Sequence, residues 1–134
     1  MIKERIQQKG EDLKMLQGHD RLAYLIDIAK DVEQLPDEVK IDQNKIRGCA
    51  SNLWLIGGAK EDNIMIYRID ADAFITKGTA KLITDLVNGC PKDEVAALTL
   101  EDFLPLGIRE LLTMQRQNGL GSLIERIVEI ANTK

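Results

Sequence analysis

The sequence predicts an α+β fold, a small antiparallel sheet packed against several helices, and three observations lead there. Two short apolar runs, "SNLWLIGG" and "IMIYRI", are separated only by the polar stretch "AKEDN", the pattern of a β-hairpin. Helical apolar spacing occupies the chain on both sides of them. Aromatic residues make up only 4% of the chain, so the core must be built from Leu, Ile, Val and Ala. A length of 134 residues suits one domain over residues 1–134. A domain of that size buries roughly two-thirds of the surface its unfolded chain exposes, without help from disulfides or metals.

Taken in order, the N-terminal segment carries Ile2, Ile6, Leu13 and Leu16 at irregular helical spacing, and Gly10 predicts a frayed or broken helix. A clearer helix follows "GHD", with Asp20 as its cap and Leu22, Leu25, Ile26 and Ala29 on one face. It should stop before Pro36, because proline disfavours helix in the residue ahead of it. "VKIDQNKIRG" reads as loop or edge. The first strand follows. The second has Ile64 and Ile66 opposite Met65, Tyr67 and Ile69. A helix over residues 74–87 places Ile75, Leu82, Ile83 and Leu86 on one face, with Gly89 to end it and Gly78 as a point where it could split. Thr99 with Asp102 marks another helix start, Gly107 a break, and residues 108–114 a short helix. Leu120, Leu123, Ile124, Ile127, Val128 and Ala131 form the clearest stripe in the chain.

Charge and motifs exclude several functions. The formal net charge is −4, whereas nucleic-acid binding relies on a basic face, so no nucleic-acid partner is expected. No apolar run approaches the roughly 20 residues needed to cross a bilayer, and "MIKERIQQKGEDLK" has no apolar targeting core. No membrane association is expected, and the cytoplasm is the expected compartment. Cys49 and Cys90 are then free thiols rather than a bridge. No phosphate loop of standard spacing occurs; "GGAKED" reads as a turn. One histidine, His19, and two distant cysteines give no recognisable metal spacing, so no metal site is expected.

Cys49 is the residue around which chemistry can be built. Gly48 beside it permits a tight or left-handed backbone and leaves the sulfur little screened. Lys45 and Arg47 supply positive charge, which favours the thiolate, and the thiolate is the nucleophile. The competing reading is a small hydrophobe buried against Trp54, since cysteine is among the most buried residue types. Both readings stand on these residues alone.

Three motifs carry a resemblance. "RGCASNLW" contains Gly48, Cys49, Ser51 and Trp54 in the pattern Gly-Cys-x-Ser-x-x-Trp; "IDADAFITKG" contains Asp72, Ala73, Ile75, Lys77 and Gly78; "QRQNGL" contains Arg116, Asn118, Gly119 and Leu120. In this order and spacing they resemble the SufE family of sulfur-acceptor proteins. The departures are Ala71 for a serine, Thr76 for a valine, Gln115 and Gln117 for serines, and a cysteine at position 90. The resemblance implies a SufE/NifU-scaffold-like fold and a sulfur shuttle. A pyridoxal-phosphate cysteine desulfurase would be the partner, Cys49 the acceptor of its persulfide sulfur, and a downstream iron–sulfur scaffold the recipient. The chain would stimulate the desulfurase, carry no cofactor of its own, and act as a sulfur-transferring accessory rather than a stand-alone enzyme, as a monomer or weak homodimer.

Within that frame, Arg47, Gly48, Ser51, Asp72, Lys77 and Arg116 are expected to support the loop or meet the partner. Gly48 would be a hinge that lets a sheltered Cys49 swing out. Asp72 would cap the helix near Phe74 and hold the loop from behind, with capping alone as the competing reading, and Lys77 would be a surface residue of that helix. Arg116 reads equally as a solvated helix-end charge. Cys90 reads as an incidental thiol. Two alternatives remain: an iron–sulfur cluster scaffold, which needs about three cysteine-type ligands, and a regulator that binds a desulfurase without taking sulfur. A thiol-redox role is weaker, because no C-x-x-C pair occurs.

Overall fold

A computed structural model describes residues 1–48, 51–108 and 114–133, with residues 114–116 in their backbone only. The elements are α1 (Ile2–Lys14), α2 (Gly18–Ala29), β1 (Leu53–Lys60), β2 (Ile64–Ala71), α3 (Phe74–Val87), β3 (Cys90–Pro91), α4 (Lys92–Ala96) and α5 (Met114–Asn132), with short 3₁₀ turns between them. The expected α+β architecture is present.

The two apolar runs form the expected hairpin. β1 and β2 pair antiparallel from Leu53 opposite Ala71 to Lys60 opposite Ile64. Their inner face presents Leu53, Leu55, Met65, Tyr67 and Ile69, all buried, as the two-residue alternation of a strand requires. Tyr67 needs room on this face. A side chain at Gly57, its partner across the hairpin, would place a Cβ 2.3 Å from the ring. The Tyr67 hydroxyl donates to the Ile127 carbonyl of α5 at 2.6 Å, so sheet and helix are tied through a buried polar contact. Burial raises the pKa of that phenol well above its ordinary value.

The sheet has a third strand that the sequence pattern does not announce. β3 is two residues long and pairs antiparallel with β2, Cys90 opposite Met65. Just before it, the Asn88 side chain imitates a strand. Its Oδ1 accepts from the Tyr67 N–H at 2.7 Å and its Nδ2 donates to the Tyr67 carbonyl at 3.1 Å. Cys90 is fully buried, with the Arg5 guanidinium 3.2 Å from its sulfur. It packs within the hydrophobic core.

Two expected interruptions are not interruptions. α1 runs unbroken through Gly10, and α3 through Gly78. Each glycine is where another piece of backbone comes close. A Cβ on Gly10 would lie 2.2 Å from the Pro105 carbonyl oxygen, and one on Gly78 would lie 1.8 Å from that of Leu25 in α2. Helix caps also differ from expectation. α2 starts at Gly18 after Gln17, which leaves Asp20 inside its first turn, where a carboxylate suits the helix dipole. The expected start at Thr99 holds. Its N–H donates to the Asp102 carboxylate at 2.9 Å, ahead of a 3₁₀ segment, Leu100–Leu106, that ends at Gly107. The expected short helix over 108–114 falls almost wholly outside the described residues. α5 buries Leu120, Leu123, Ile124, Ile127 and Ala131, the stripe read from the sequence. Among the described residues, no helix is long and apolar enough to cross a membrane.

Candidate functional site

The chain between α2 and β1 runs over the outer side of the sheet, then turns back. Lys45 bridges to Trp54, and the Ile46 N–H donates to the Leu53 carbonyl at 2.8 Å. These contacts bring Ile46 and Leu53 together on the two sides of the motif that contains Gly48 and Ser51. Cys49 and Ala50 lie outside the described residues; Gly48 and Ser51, bonded covalently to them, do not.

Gly48 has φ +87°, a conformation that side-chain-bearing residues rarely adopt. It faces α5: a Cβ there would sit 3.5 Å from the Ser122 hydroxyl and 3.7 Å from the Asn118 carbonyl. The glycine predicted from the motif is therefore required by the backbone. Arg47 is exposed. With Asp42, Lys45, Ile46, Gly48, Ser51 and Asn52 it lines an open depression of about 570 Å³. The basic character read for the loop thus lies at a solvent-facing surface.

On its other side the loop is held by the start of α3. The Ser51 and Thr76 hydroxyls are 3.1 Å apart. The Asn52 side-chain amide donates to the Asp72 carboxylate at 2.7 Å, and the Asp72 N–H donates to the Asn52 carbonyl at 3.1 Å. Asp72 does not cap α3: Ala73 is the N-cap and no side chain bonds there. The carboxylate accepts instead from the amide of Asn52. Arg116 lies in the first turn of α5, two residues before Asn118; its side chain is outside the described residues.

Lys77 is not a surface residue. Its side chain is 20% exposed, and its Nζ lies 3.2 Å from Asp70, whose side chain is 3% exposed. Lys40 reaches the other oxygen of Asp70 at 3.0 Å and stands over the Trp54 ring, 5.4 Å from its centroid. The N–H groups of Leu35 and Ala71 complete the set at 3.1 and 2.8 Å. Burial works against the Asp70 carboxylate, but Lys40, the two N–H groups and Lys77 together hold its pKa below the ordinary value of 3.8. Asp70 pairs with Trp54 across the hairpin. It thereby fastens both the segment leading into the loop and the helix that backs it. Sequence reasoning passed over Asp70 and Lys40. The available signal was an acidic residue at the buried end of an alternating apolar strand, a position where an unpaired charge is not tolerated.

The remaining thiol stands apart. Cys90 neighbours Met65, while the loop joins Leu53, opposite Ala71, six positions further along β2. That is roughly 20 Å at the rise of a strand. Burial pushes its thiol pKa up, against the opposing charge of Arg5. Among the described residues no group of three His, Cys, Asp or Glu side chains could hold a metal ion.

A fold of this kind, with Gly48 set against α5 and Ser51 against α3, defines a class, and comparison with known proteins gives it a name. Residues 7–131 match the SufE family, described as an Fe-S metabolism associated domain; the chain belongs to that family. It is 38% identical over 119 residues to an uncharacterized SufE-like protein of Rhizobium etli, covering 86% of this chain and 80% of that one. It is 31% identical over 115 residues to the sulfur acceptor protein CsdE of Escherichia coli, covering 85% of this chain and 78% of the relative. In fold it is similar to the solution structure of a hypothetical protein from Thermus thermophilus. The TM-score is 0.77 at 19% identity, over 95% of this chain and 93% of the other.

Proposed function

We propose that this protein is a sulfur carrier for iron–sulfur cluster assembly. It accepts persulfide sulfur on Cys49 from a cysteine desulfurase, stimulates that enzyme, and delivers the sulfur to a downstream scaffold. Family membership and the sulfur-acceptor relative support the sulfur-transfer role. The observation that carries the assignment to Cys49 is convergence. Three motifs far apart in sequence meet around loop 47–52, through Gly48 against Asn118 and Ser122, Ser51 with Thr76, and Asn52 with Asp72.

The chemistry requires little beyond a reachable thiolate. The Cys49 sulfur attacks the outer sulfur of the partner's Cys–S–SH and a new S–S bond forms. The partner's S–S bond breaks, and its cysteine leaves as thiolate. Electrons and atoms balance without an oxidant, as in thiol–disulfide exchange, where rate follows thiolate fraction, nucleophilicity and access. No cofactor of its own is needed; the pyridoxal phosphate belongs to the desulfurase. Lys45 and Arg47 favour the anionic form, Lys77 supports the loop from behind through Asp70, and Arg116 supports the loop or the docking surface.

The deciding experiment is mass spectrometry after incubation with a desulfurase and cysteine. The wild type gains about 32 Da per sulfur on its reactive thiol, and Cys49→Ser gains none. A wild type that stays at its starting mass while still stimulating the desulfurase would point to a binding regulator. A cluster scaffold is disfavoured by the burial of Cys90 at the far end of β2, which leaves Cys49 without a second cysteine ligand from its own chain.

A further inference from the structure

We infer that Phe74, Lys45 and Arg47 anchor a docking surface around Gly48 and Ser51, and that it fits a desulfurase face carrying an acidic side chain beside an apolar pocket. The chain has two phenylalanines. Phe103 is 4% exposed within the core, whereas Phe74 is 56% exposed at the first position of α3. It therefore leaves more than half of its surface for a partner, and aromatic and arginine side chains are the common anchors of protein interfaces. Its place in the chain ties it to the motif. Two residues before it, the Asp72 carboxylate accepts from Asn52 at 2.7 Å; two residues after it, the Thr76 hydroxyl lies 3.1 Å from that of Ser51.

The charged anchors come from the segment that leads into the motif. Lys45 and Arg47 are exposed and line, with Gly48, Ser51 and Asn52, the open depression of about 570 Å³. Asp42 is the one acid among its lining residues. Among the described residues, neither Lys45 nor Arg47 takes part in an ion pair. Two such cations, in a chain whose net charge is −4, suit an anion supplied by another molecule. Beside Asp42, Ile41 is 43% exposed and adds apolar surface. The inference rests on the proposed function: a desulfurase that hands sulfur to Cys49 has to cover Gly48 and Ser51, which flank positions 49 and 50.

The test measures binding to an immobilised desulfurase, the enzyme used for the persulfide measurement. The full chain carries Cys49→Ser, so that docking is read without sulfur transfer. Adding Phe74→Ala is expected to raise Kd about ten-fold, mainly through faster dissociation. Met15→Ala is the control. Met15 is 86% exposed but lies between α1 and α2, and its loss should leave Kd unchanged. Lys45→Glu with Arg47→Glu should slow association about ten-fold in about 0.05 M salt, and the difference should fade towards about 0.5 M. All these side chains are exposed, so melting temperatures should match that of the parent chain. An unchanged Kd in Phe74→Ala overturns the docking surface. So does an equal loss in Met15→Ala, or an association rate indifferent to the charge reversal. Any of these, alongside a wild type that gains sulfur mass, leaves the proposed function standing. A wild type that neither binds nor gains mass removes both.

Discussion

Asp70 is a buried carboxylate that serves two lysines and two backbone N–H groups at once. Removing one member of such a set leaves uncompensated charge. Asp70→Asn should destabilise the protein by about 3 kcal/mol at neutral pH, read from denaturant titration. The pH dependence follows from the direction of the shift. The folded carboxyl titrates below the ordinary 3.8, so its stabilising contribution is complete above about pH 4 and declines as pH falls below that. The gap between wild type and Asp70→Asn should therefore narrow as pH falls from about 4 towards about 2, and a gap that widens on acidification would contradict the assignment. Cys90 is the contrasting case. Its pKa is raised by burial, so it should resist alkylation in the native protein and react only in denaturant. Rapid native labelling of Cys90 would place it outside the core.

Elements are held at particular separations by residues that the sequence pattern reads as weaknesses. An alanine in an exposed helix interior is more favourable than glycine by about 1 kcal/mol. At Gly78 the sign should reverse, because the added methyl meets the Leu25 backbone of α2 rather than a movable side chain. Gly78→Ala is expected to cost about 2–3 kcal/mol through forced separation of α2 and α3, a loss measurable as a lowered melting temperature. Gly58, where nothing lies within 4 Å of an added Cβ, is the control, and Gly58→Ala should be close to neutral. The tie between sheet and α5 is smaller. Tyr67→Phe removes the hydroxyl bond to Ile127 and should cost about 1 kcal/mol without moving the hairpin register. At the loop, Gly48→Val forces a β-branched side chain into φ +87°, so it should distort the loop and slow sulfur uptake more than it lowers global stability. Equal uptake rates would contradict the role given to this bend.

Across the whole molecule, the sequence made the architecture legible wherever pattern and structure share a cause. Apolar alternation in "IMIYRI" is the same fact as the buried face of β2, and the stripe from Leu120 to Ala131 is the buried face of α5. The family is legible in the order and spacing of the three motifs. What pattern reading missed depends on long-range encounters. Gly10 and Gly78 looked like breaks because their reason lies in Pro105 and Leu25, far along the chain. Asp72 looked like a helix cap because its partner, Asn52, comes from another part of the chain. Lys77 looked solvated because Asp70 becomes its neighbour only once α3 docks on the sheet.

The sequence by itself determined the α+β class, the hairpin and the family, since periodicity and motif spacing can be read directly along a chain, and it supplied the thiol that the proposal uses. Only the tertiary structure decided that Asp70 gathers Lys40 and Lys77, that Cys90 belongs to the core, and that Ser51 and Asn52 are tied to the start of α3. Those contacts depend on where elements distant in sequence meet, and that is fixed by burying the whole apolar surface at once rather than by any single stretch of residues.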